Sequence, residues 1–74
     1  MVIYNASALN NEELLKEYRI LKVLEASTYY DVCQPEFAYK SEEGKKEDIN
    51  YLHAVRHEIS RVRNILLKRG FRNV

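Results

Sequence analysis

The stretch "YLHAVRHEISRVRNILLKRG", residues 51–70, holds two histidines, five Lys or Arg residues and a single acid. His53 and His57 stand four residues apart. On a helix that spacing puts them on neighbouring turns of one face, where two imidazoles can reach one metal ion. A tight site needs a third and fourth ligand. Asp31, Cys33 and Glu58 would serve only if the fold brought them near, and the His-Glu-x-x-His order of zinc proteases is absent. The pair reads as two exposed histidines beside a packed seam, so neither a metal nor another cofactor is expected.

The basic residues of the same stretch fall into two sets on a helical wheel. Arg56 and Arg63 border the apolar positions, where their stems can cover the core edge and their heads can face acids of an earlier helix, such as Glu17 or Glu25. His57, Arg61, Asn64, Lys68 and Arg72 follow one another at intervals of 4, 3, 4 and 4 on the opposite side. Phosphate contacts with a nucleic acid or another anionic ligand need such a line of exposed positive groups. A solvated helix face has the same pattern, so this line marks the alternative function and not the leading one.

Aromatic residues make a third set. Tyr29, Tyr30, Phe37 and Tyr39 crowd around Pro35. They can stack on bases, fill a small core at the end of a helical pair, or form a protein-binding patch, since tyrosine offers large contact area at low entropic cost. Core filling is the expected use. If they are exposed instead, they form, together with Ile20, a candidate protein-binding surface.

No nucleophile elbow, glycine-rich phosphate loop or close carboxylate pair in an apolar setting is found, and the two glycines are isolated. The expected function is therefore non-enzymatic. "LHAVRHEISRVRNILLKRG" resembles the long-helix rhythm of chorismate mutases and the second helix of the ribosomal protein beside the peptide exit tunnel. Both likenesses cover one helix and rest on generic heptad spacing, which assigns the chain to neither family.

The elements that must carry these residues are helical. "NNEELLKEYRILKVLEAS" opens with Asn10 three residues before Glu13, in a capping-box arrangement with acids in the first turn. Leu14, Tyr18 and Leu21 share one face of this helix, whereas Ile20, Val23 and Leu24 fall on others. A single partner helix cannot cover both. Either the N-terminal "VIY" and the central segment fold over the second face, or another subunit does. The residue before Pro35 resists helical geometry, so helix 1 should end by about Val32. Pro35 then suits the start of a short helix, "PEFAYKSEE", with Gly44 as its stop, or "EFAYK" is a short extended piece. In helix 2, Leu52, Val55, Ile59, Val62 and Leu66 recur at 3, 4, 3 and 4, the period of a helix packing at a shallow angle on another. Gly70 ends it.

The expected domain is a single mainly α antiparallel hairpin. It has an N-terminal arm over 1–9, helix 1 over 10–32, a connecting segment over 33–45, helix 2 over 46–69 and a tail over 70–74. At 74 residues the chain is at the small end of what folds alone. With an apolar second face on helix 1, it is expected to complete its core as a homodimer resembling a four-helix bundle. The lone Cys33 can form no internal disulfide, is expected to be a half-buried thiol, and agrees with a cytoplasmic setting. No apolar run reaches the roughly 20 residues a membrane span needs, and "MVIYNASALN" lacks the charged start and long apolar core of a secretory signal.

Net charge is +1, yet from Lys45 onward eight basic residues meet three acids (+5), leaving −4 on residues 1–44. The halves can attract each other within a fold or across a dimer, or the basic half can face an anionic partner. The leading expectation is a small regulatory or adaptor protein that binds another protein. Its size would suit a phage or mobile-element product that blocks a host factor.

Overall fold

A computed structural model describes residues 8–74. Helix α1 runs Asn11–Val32, a 3-10 turn covers Pro35–Tyr39, and helix α2 runs Glu42–Lys68. The two α-helices form a hairpin, and there are no strands among the described residues. The arm expected over 1–9 lies outside the described residues except for Ala8 and Leu9, as does the "VIY" proposed to cover α1.

Local chemistry sets each boundary. The Asn10 side chain accepts the Glu13 N–H at 2.9 Å, and the Glu13 carboxylate accepts the Asn10 N–H at 3.0 Å, closing the capping box of α1. At the other end Gln34, which precedes proline, is extended (ψ 148°), so α1 stops at Val32 with Cys33 as its cap.

The start of α2 differs from expectation. Ser41, not a residue near Lys46, is the N-cap, and its hydroxyl accepts the Gly44 N–H at 3.1 Å, with Glu42 and Glu43 in the first turn. Gly44 thus lies in the opening turn of α2 and stops no shorter helix. The "SEE" that sequence reading assigns to the Pro35 helix belongs to α2, and extended Lys40 (ψ 156°) divides the two elements. At the C-terminus Gly70 takes φ 95°. The Phe71 N–H reaches the Leu66 carbonyl and the Gly70 N–H that of Leu67, both at 3.1 Å, which makes a Schellman motif that turns Phe71 back onto the core.

The core is a narrow seam. All five residues of the 3-4-3-4 series are buried, and α1 contributes Leu14 and Leu21. Leu14, Val62 and Leu66 are the most enclosed, at the open end, where Leu9, Phe71 and Val74 pack against them. These three therefore plug the open end of the hairpin, and the aromatics around Pro35 do not. Two polar ties cross between the helices: Arg69 donates to Asn11 at 3.1 Å at the open end, and Arg56 donates to Glu25 at 3.1 Å nearer the closed end. At the closed end Lys40, in the connection before α2, pairs with Asp48 and holds that connection to α2. The molecule measures 44 × 24 × 15 Å, with a long axis close to the roughly 40 Å expected of 27 helical residues and a thickness of one helix layer.

Candidate interaction surface

A one-layer hairpin buries one stripe of each helix and leaves the rest in solvent. On α1 the outward stripe is apolar in its middle: Ile20 is 44% exposed, Val23 68% and Leu24 37%. The three stand at i, i+3 and i+4, so they form one patch on consecutive turns. The described segment after α1 does not cover it. This second face is what sequence reading anticipates as needing a partner.

The closed end presents the aromatics. Tyr29, Tyr30 and Tyr39 are exposed, the last at 89%, and only Phe37 is half-buried. The core-filling expectation is thereby corrected. The chain turns at Pro35 immediately after α1, so the segment bearing Phe37 and Tyr39 returns to start α2 and never enters the seam. Tyr29 has a specific role, because the Arg56 guanidinium lies 5.6 Å from the Tyr29 ring centroid while the Arg56 Nε donates to Glu25. Of the two acids suggested for Arg56, Glu25 is the one it meets. Burial pushes the Glu25 carboxyl up, but the hydrogen bonds and charges of Lys22 and Arg56 outweigh it and hold the pKa below the ordinary carboxylate value.

Beside the tyrosines lies a cleft of about 400 Å³ between the end of α1, the 3-10 turn and the first turns of α2. Phe37 and Tyr51 line it together with Asp31, Glu36, Asp48 and Lys40. Sequence reading misses this group. Its members come from three elements, and only the tight turn at Pro35 brings them together.

His57, Arg61, Asn64 and Lys68 are exposed along the outer side of α2, but the basic line is weaker than its spacing suggests. Arg61 donates to Glu58 at 3.0 Å, an i,i+3 pair within the helix. Arg72 lies beyond Gly70, whose positive φ ends the helix, so the interval of four from Lys68 no longer places it on the same line. His53 and His57 are both exposed. Among the described residues no group of three or more His, Cys, Asp or Glu side chains is arranged to hold a metal ion. Cys33 is exposed and not half-buried, since it caps α1 where the chain leaves the helix.

No family model, curated protein or solved structure matches the chain. The fold defines its class, an all-α helical hairpin, and none of the helices among the described residues is long and apolar enough to cross a membrane.

Proposed function

We propose that this chain is a non-enzymatic protein-binding module of regulatory or adaptor type. The outer face of α1 pairs with a second copy, and the tyrosine-bearing closed end engages another protein. The observation that supports this most directly is the exposed patch of Ile20, Val23 and Leu24 on a molecule one helix layer thick. Two-layer packing is the usual way such a face leaves water, and a second hairpin supplies the missing layer.

The stripe of α1 reads Glu13, Lys16, Ile20, Val23, Ser27 and Tyr30. A parallel copy would set Lys16 against Lys16 and Glu13 against Glu13. An antiparallel copy about a two-fold axis between Ile20 and Val23 sets Lys16 against Ser27 and Glu13 against Tyr30, with no like charges opposed. That places Tyr30 at the edge of the dimer contact and leaves Tyr29, Phe37 and Tyr39 near both tips of the dimer, open to a further partner.

Placing a benzophenone amino acid at Tyr39, and in a second variant at His57, tests the closed end in cells that express the chain. Irradiation should give a discrete covalent adduct with another protein from position 39 and none from position 57. No adduct from either, or the same smear from both, would contradict the reading.

A further inference from the structure

We propose that the cleft at the closed end receives a basic side chain, arginine above lysine, from the partner protein; this rests on the closed end being a protein contact. The cleft falls within the volume range of ligand pockets, about 300–1,000 Å³, at about 400 Å³. Its lining joins two aromatic rings, Phe37 and Tyr51, to three carboxylates, Asp31, Glu36 and Asp48. Lys40 pairs with Asp48, while among the described residues no ion pair neutralises Asp31 or Glu36. Three acids and one lysine leave the lining at −2. The surroundings have the same sign, since residues 28–49 hold six acids against three lysines.

Aromatic faces beside unneutralised carboxylates are the chemistry that holds a guanidinium. The rings attract its planar face and the carboxylates accept its N–H groups, whereas an ammonium gains only the point-charge part. The same chain already holds one guanidinium in this way: Arg56 lies 5.6 Å from the Tyr29 ring centroid and donates to Glu25 at 3.1 Å. The alternatives fit less well. A nucleic acid would meet negative charge. A divalent cation needs convergent ligands, which the described residues do not assemble.

Lys40 gives the proposal a signature that an apolar cleft would lack. It competes for Asp48, so Lys40→Ala should tighten arginine binding, while Asp31→Asn with Glu36→Gln should weaken it about tenfold. All three side chains are exposed, so each variant should keep the helical circular dichroism of the parent.

The test is an ¹⁵N chemical-shift titration of the full chain with acetyl-Gly-Arg-Gly-amide, and with the Lys, Leu and Glu counterparts. Saturable shifts confined to the amides around residues 31–37 and 48–51 are expected for Arg, weaker ones for Lys, and none for Leu or Glu, with the two variants moving affinity in opposite directions. Equal shifts from Leu, or none from Arg at millimolar concentration, would overturn the assignment of the cleft. If crosslinking from Tyr39 persists in that case, the cleft assignment alone fails and the protein-binding reading stands.

Discussion

The Glu25 carboxylate connects packing to pH at the scale of one residue. Its pKa in the folded chain lies below that of the unfolded chain, because Lys22 and Arg56 stabilise the charged form. A group depressed in this way contributes stability above its unfolded pKa and loses it as pH falls through the folded one. Glu25→Gln should therefore lower the melting temperature at neutral pH and leave it nearly unchanged at pH values below both pKa values. A thermal melt series read by circular dichroism checks this, and an equal loss at every pH would remove the ion pair as its cause. The neighbouring cation–π contact predicts that Tyr29→Ala costs about 0.5–1 kcal/mol and Tyr29→Phe less, read as shifts in the urea midpoint. Sequence reading points Arg56 at α1 through its place beside the seam. Glu58, three residues before Arg61, takes one charge out of the basic line, a pairing that the i,i+3 spacing makes legible but that a wheel of the cations alone leaves out. Fluorescence anisotropy with duplex and single-stranded oligonucleotides should accordingly show no salt-steep binding. Tight binding that collapses with salt would restore the outer side of α2 as a phosphate surface.

At the scale of elements, caps and seam are legible for different reasons. The seam of α2 is legible because burial against one helix imposes the 3-4 period, and Leu52, Val55, Ile59, Val62 and Leu66 obey it without exception. The start of α2 is not, because Gly44 reads as a stop when Ser41 is overlooked as a start. Ser41→Ala should cost about 1 kcal/mol, seen as a lower urea midpoint with unchanged slope. Gly70→Ala should cost about 1–2 kcal/mol, through its φ of 95° alone, since a Cβ there would meet nothing within 4 Å. Leu66→Ala, at a fully enclosed position of the core, should cost about 2–5 kcal/mol and serves as the scale for both.

Across the whole molecule, periodicity reveals that α1 has two apolar faces but not what covers the second, because a single chain's pattern is silent about neighbours. The tyrosines around Pro35 mislead for a related reason. Large aromatics in a small protein suggest core, yet the buried residues of this seam are all aliphatic and the aromatics that pack on it are Tyr18 and Phe71, so Tyr29, Tyr30 and Tyr39 remain outside it. The most direct measurement is sedimentation equilibrium of the full chain beside the Ile20→Ser/Val23→Ser variant, with circular dichroism on both. Because these positions are exposed in the hairpin, the double change should leave its helical signal intact. The parent should sediment at twice the 8.8 kDa chain mass at micromolar concentration and the variant at the chain mass. A parent that stays at the chain mass throughout, or a variant that still pairs, would contradict the outer face of α1 as the dimer interface.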